Sequence, residues 1–172
     1  MALALLLGCS CVEARENQTG LWESDRDEIV RPIASGTKDD HLTTEDSIGN
    51  LVHHPAFAGF GRLILPWDDR EYDESIRLSD IGSLLPYHSH VDPEVIAAAL
   101  NHMIDDVNRG ETVFYSFYSE VQRQEQPAKD YTGLFFFRGR PGAPFAVVCP
   151  GGGFSYVASV HDGFPYAAEI TF

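Results

Sequence analysis

Pro144-Phe145-Ala146-Val147-Val148-Cys149-Pro150-Gly151-Gly152-Gly153-Phe154 is the stretch on which the fold and the chemistry both turn. A short unbroken apolar run between turn residues predicts a strand buried on both faces, with Cys149 as a small buried residue at its end. The glycine triplet behind it has a physical use. Without Cβ atoms the backbone can take positive φ and present consecutive N–H groups to an anion. A dinucleotide site would need Gly-x-Gly-x-x-Gly and a P-loop would need Gly-Lys-Ser/Thr, and neither occurs. An oxyanion hole fits: a Gly-rich loop at a strand end whose amides stabilise the tetrahedral intermediate of acyl transfer. The competing reading is a tight turn and nothing more.

Upstream of this strand, Tyr131-Thr132-Gly133-Leu134-Phe135-Phe136-Phe137 and Thr112-Val113-Phe114-Tyr115-Ser116-Phe117-Tyr118 are rich in aromatic and β-branched residues. Separated by the polar connector 119–130, they predict two adjacent antiparallel strands. Arg138-Gly139-Arg140-Pro141-Gly142 is a turn by composition. Before the strands, Asp92 is a predicted N-cap with Pro93 at the first helical position. Val95, Ile96, Ala99, Leu100, Met103, Ile104 and Val107 then follow at helical spacing until Gly110. Residues 50–65 gain apolar density and predict an extended segment packing on a core, broken at Pro66-Trp67-Asp68-Asp69. Residues 161–172 predict a further helix. The expected organisation is therefore the end of a lipoprotein signal over 1–11, a flexible polar linker over 12–50, a partly helical extension over 51–110 and a sheet-bearing part over 111–172.

Of 172 residues, 12 are Lys or Arg and 26 are Asp or Glu, a net charge of −14. A phosphate backbone needs a basic footprint, so nucleic acid is not an expected partner. With 44% hydrophobic and 22% charged residues the chain has the composition of a folded domain. No apolar run approaches the roughly 18–20 residues that span a bilayer. Three cysteines, Cys9, Cys11 and Cys149, cannot build a disulfide framework. Ala2–Leu7 followed by Gly8-Cys9 resembles the end of a bacterial lipoprotein signal, in which a Leu-rich run leads through a small residue to a Cys that is lipidated. The likeness implies a lipid anchor to the membrane at Cys9 and a periplasmic or cell-surface lipoprotein. No Lys or Arg precedes the run, whereas export signals carry a positive n-region. A start displaced from the natural one is the competing reading.

Thr132-Gly133-Leu134-Phe135-Phe136-Phe137-Arg138-Gly139, Ala143–Val148, Pro150-Gly151-Gly152-Gly153-Phe154-Ser155-Tyr156-Val157 and His161-Asp162-Gly163-Phe164-Pro165-Tyr166-Ala167 together resemble the start of a bacterial α/β-hydrolase family of esterase- and lipase-like proteins. Residues 55–109 resemble the upstream extension of some members. The resemblance implies an α/β fold in incomplete form: the first strands of the sheet, the oxyanion loop and the first helix, preceded by the extension. It implies an oxyanion hole at the backbone of Gly151, Gly152, Gly153 and Phe154, a small-molecule carboxylic ester as substrate of the complete protein, and no cofactor. Pro150 stands where the family's His-Gly-Gly-Gly loop has His, so that His has no role here. The family's nucleophile elbow, Gly-x-Ser-x-Gly, with an acid and a His after it, would follow in chain order. Residues 1–172 contain no such elbow, and no catalytic residue is assigned. Gly153-Phe154-Ser155-Tyr156-Val157 is a decoy, because Val157 replaces the last Gly. A non-catalytic remnant or binding module is the alternative class.

Three smaller constellations each have two readings. His88-Ser89-His90 followed by Asp92 imitates a metal site by strand alternation, but Asp92 is taken as a helix cap and no third ligand cluster is visible, so no metal is assigned. His53-His54 would splay two rings to opposite sides of an extended chain, poor geometry for chelation. His161, Asp162 and Glu169 read as residues that start or decorate the last helix.

Overall fold

The Asp92-Pro93 start and the apolar spacing behind it do produce the longest helix among the described residues. A computed structural model describes residues 2–6, 40–67, 70–85, 87, 90–153 and 155–171. In chain order these form strand β1 (Ala2–Leu6), helix α1 (Ile48–Val52), a 3-10 turn (Pro55–Phe57), α2 (Gly61–Ile64), a 3-10 segment (Leu78–Leu84) and α3 (Pro93–Asn108). Then come β2 (Phe114–Ser116), α4 (Glu120–Glu125), a 3-10 turn (Pro127–Tyr131), β3 (Gly133–Phe137), β4 (Phe145–Val148), a π-helical turn (Ser159–Gly163) and α5 (Phe164–Thr171). In α3 the Asp92 carboxylate accepts the Glu94 amide at 2.9 Å, and the helix gives way at Arg109 to Gly110 with φ of +82°. Ile96, Leu100, Met103 and Ile104 of α3 are fully buried.

The sheet runs β2-β3-β1-β4. β2 pairs antiparallel with β3, β3 antiparallel with β1, and β1 parallel with β4. The antiparallel neighbours expected at 112–118 and 131–137 are thus present, trimmed to three and five residues. α3 and α5 cover one face. Phe164 of α5 meets Phe135 at 5.2 Å and Phe137 at 5.1 Å, both edge-on, and His102 of α3 stacks on Phe137. On the other face Tyr115, Phe145 and Val147 are exposed.

Four expectations are corrected. β4 is not buried on both faces: Ala146 and Val148 turn to the core while Phe145 is 73% exposed, because no helix among the described residues covers its outer side. Cys149 is exposed for the same reason. Residues 50–65 are short helices rather than an extended segment, nucleated by a capping box between Ser47 and Asn50 and by His54 accepting the Ala56 amide. The polar stretch ends near residue 40, not 50. Leu42 is buried and its backbone exchanges two hydrogen bonds with the Asn101 side chain, each 2.8 Å. Ile48 and Leu78 bond back to Ile76 and Asp46, which ties residues 44–49 to 74–79.

One apolar core runs through the whole, from Leu42, Ile48 and Phe57 through Leu100 to Phe135, Phe137, Val160 and Phe164. The stretches separated at 110/111 in the sequence are therefore packed as one body. Cys9, Cys11, His88, Ser89 and Phe154 lie outside the described residues, as do 12–39. No helix among the described residues is long and apolar enough to cross a membrane.

Candidate functional site: the glycine loop and its wall

The chain leaves β4 at Val148, passes Cys149 and Pro150, and reverses through the triplet before entering the π-helical turn. Carbonyls do the closing. The Gly152 carbonyl accepts the amides of Ser155 at 3.0 Å and Tyr156 at 3.3 Å, and the Gly151 carbonyl accepts Ala158 at 3.1 Å. Among the described residues, the N–H groups of Gly151, Gly152 and Gly153 donate to no backbone carbonyl, and Gly151 and Gly153 are exposed. Three consecutive glycine amides, the last at a left-handed φ of +58°, are the kind of donors from which an anion site is built.

The glycines are needed for different reasons. A Cβ on Gly152 would sit 1.6 Å from the Tyr156 carbonyl oxygen, so its requirement comes from the loop's own closure. Gly153 has φ of +58° and open space where a Cβ would go. At Gly151 the nearest atom to a Cβ would be Asp162 Oδ2 at 3.9 Å, an ordinary contact. Only Gly153 therefore combines a glycine-like backbone with room for an approaching ligand.

The loop leans on the extension. Val157 donates to the Pro66 carbonyl at 3.0 Å, and the rings of Tyr156 and Trp67 lie 4.6 Å apart. The Arg70 guanidinium lies 3.5 Å over the Trp67 ring. The Trp67 amide donates to the Tyr72 hydroxyl at 2.8 Å, and Arg62 sits 4.2 Å over the Tyr72 ring while donating to the Arg70 carbonyl. Burial pushes the Tyr72 phenol above its usual 10.0, outweighing the Trp67 amide and the Arg62 and Arg70 charges. On the far side of this wall is an open cleft of about 610 Å³ lined by Ile48, Val52, Arg62, Arg70, Tyr72 and Glu74. At its rim, hydrogen bonds from the Ser75 hydroxyl and amide hold the Asp73 carboxyl below the usual range. Sequence reading missed Trp67, Arg62, Arg70 and Tyr72. The Pro66-Trp67 break was visible, but nothing in its spacing said that it would dock against residue 156.

Ser155 is exposed, and its amide donates to the Gly152 carbonyl. His161 is 4% exposed and its Nε2–H donates to the Ile81 carbonyl at 3.0 Å, which fixes the ring in the core. It anchors the π-helical turn more than it decorates a helix. His53 bonds to Glu74, and His54 to the Asp40 carbonyl and the Ala56 amide, so the two rings serve separate local contacts. Among the described residues no three His, Cys, Asp or Glu side chains gather as metal ligands.

No family model matches this chain, and no curated protein or solved structure does either.

Proposed function

We propose that this chain carries the oxyanion-binding part of a serine α/β-hydrolase that, in complete form, transfers the acyl group of a carboxylic ester to Ser and then to water. The observation that supports the reading is the set of amides at Gly151, Gly152 and Gly153, which donate to no backbone carbonyl among the described residues, at the end of a sheet strand and with positive φ at Gly153. When an ester carbonyl becomes an alkoxide, donors already aimed at it lower the barrier without reorganising. Phe154 supplies the next backbone donor in this reading. The substrate is a small-molecule ester, the reaction needs no cofactor, and the nucleophile, acid and His are not assigned to residues 1–172. Export as a lipoprotein through Cys9 belongs to the same proposal and rests on the Leu6-Leu7-Gly8-Cys9 order.

The test follows the amide protons during titration with methylphosphonate, a small tetrahedral oxyanion. Gly151, Gly152 and Gly153 are expected to shift with concentration while the amides of α3 stay fixed. Fixed glycine amides would leave the turn reading in possession of the loop. Against p-nitrophenyl esters the chain alone is expected to show no turnover. Turnover abolished by a Ser-directed inhibitor would place a nucleophile within residues 1–172 and overturn that part of the proposal.

A further inference from the structure

β3 and β4 are consecutive strands joined by seven residues, Arg138 to Pro144, yet they do not pair. Between them lies β1, from the other end of the chain. Its register is continuous on both sides: Leu3 to Leu6 oppose Phe137 to Leu134 of β3, and Ala2 to Leu5 accompany Phe145 to Val148 of β4. The β3–β4 connection thus spans two strand spacings, roughly 10 Å, and leaves one strand position to be filled from elsewhere. Its turn closes without β1, by Ala143 donating to the Arg140 carbonyl at 3.1 Å and by Gly142 at φ of +76°.

β4 has a second dependence. Its only strand partner among the described residues is β1, and the glycine loop hangs from its C-terminal end. The seat of the loop on the sheet therefore runs through residues 2–6. Those residues are also the apolar run that the sequence offers as an export signal, and the two uses exclude each other. A strand hydrogen-bonded along both edges in a sheet interior cannot at the same time lie extended in a membrane or a peptidase cleft.

We infer that the position between β3 and β4 is a strand-acceptor site, filled by the chain's own Ala2–Leu6, and that its filling sets the position of β4 and the glycine loop. A chain that keeps this segment folds around it. A chain that loses it keeps the β2–β3 pair and the helical core but has β4 unseated, with a bare slot that accepts the same segment supplied in trans. The inference rests on topology alone and stands or falls independently of the oxyanion reading of the glycine loop, but it competes with the export proposed through Cys9, which would take residues 2–6 out of the sheet.

Two measurements on the full chain test it. With Cys9, Cys11 and Cys149 changed to Ser, the pair Ala4→Cys/Phe136→Cys places two thiols at one register position. It should oxidise within one chain, and the pair Ala2→Cys/Phe136→Cys, two residues off register, should not. Equal cross-linking of the two pairs would overturn the inference, and so would cross-linking only between chains, which would make a second copy the occupant. In the second measurement Ala4→Pro breaks the central strand. Amides 146–148, 157 and 158 should exchange tenfold or more faster, with α3 unchanged, and the peptide MALALLLG bearing a Lys-Lys tail should restore their protection. Unchanged exchange at β4, or no recovery with the peptide, would overturn it. Should the proline variant fail to fold, the cross-linking pair decides alone.

Discussion

The two halves of this molecule reach their conformations by different routes. Residues 40–110 are helical and settle their polar ends locally: Ser47 with Asn50, His54 with the Ala56 amide, Asp92 with the Glu94 amide. Residues 111–171 hold a sheet whose middle strand comes from residues 2–6 and whose outer face leaves Tyr115, Phe145 and Val147 exposed. Local capping stabilises a helix wherever the rest of the chain lies, whereas a ladder exists only when its distant partner arrives. The difference teaches that the loop at the end of β4 is the conditional part of the structure and the α3 region the stable one.

The strongest way to break this contrast is to weaken α5, the helix that lies against both the sheet and α3. Phe164 is fully buried and packs edge-on against Phe135 and Phe137 over the core shared with α3. Phe164→Ala should cost about 3–5 kcal/mol. Helical and aromatic signals should shift to lower urea together, because the core is continuous. Two separated transitions would mean that the halves fold independently.

The next test divides the loop against itself. Gly152→Val drives a side chain into the Tyr156 carbonyl and should cost about 3 kcal/mol. Gly153→Ala meets open space and carries only the left-handed penalty, about 1 kcal/mol. Thermal melts of the two variants rank them. Equal losses would show that the loop closes differently from the hydrogen bonds at Gly151 and Gly152. This ordering also makes Gly153→Ala, rather than a change at Gly152, the variant with which to study the donors in folded protein.

A smaller effect sits in the stable half. Asp92→Ala removes the acceptor of the Glu94 amide at an exposed helix start and should cost about 1 kcal/mol, with Asp92→Asn nearly neutral. Urea midpoints of the three proteins check it. Equal loss in the Ala and Asn variants would mean that the cap contributes through charge rather than through the hydrogen bond.

What could be read in advance follows the same division. α3 was legible to its caps because Asp92-Pro93, the apolar spacing and Gly110 all lie within its own stretch. The β2–β3 pair was legible from its aromatic runs, and the triplet from its position behind an apolar run. Residues 50–65 were misread because their apolar density has no clean period, and capping by Ser47 and His54 decided the outcome. β4 was misread because an unbroken apolar run does not say which of its faces will be covered. β1 could not be placed from sequence at all. A Leu-rich start suits an export signal and a sheet interior alike, and its pairing with β3 and β4 depends on strands more than 125 residues away. The wall of Trp67, Arg70 and Tyr72 behind the loop is likewise a product of tertiary contact.

The smallest expected effect concerns that wall and appears only in alkali. Burial raises the Tyr72 phenol above 10.0 in the folded chain, while in the unfolded chain it titrates at its ordinary value. With the folded pKa the higher of the two, the unfolded state releases its proton first as pH rises. The stability that the neutral phenol contributes is then whole below pH 10 and is lost as pH climbs from 10 through the folded pKa. Tyr72→Phe removes this titration together with the acceptor of the Trp67 amide. The variant should be slightly less stable than the parent at pH 8, with the gap narrowing between pH 10 and 11. Urea midpoints at pH 8, 10 and 11 measure the slope. Parallel lines for parent and variant would show that Tyr72 is solvated, and that the link from Arg62 through Tyr72 and Trp67 to Tyr156 does not hold the loop against the helical half.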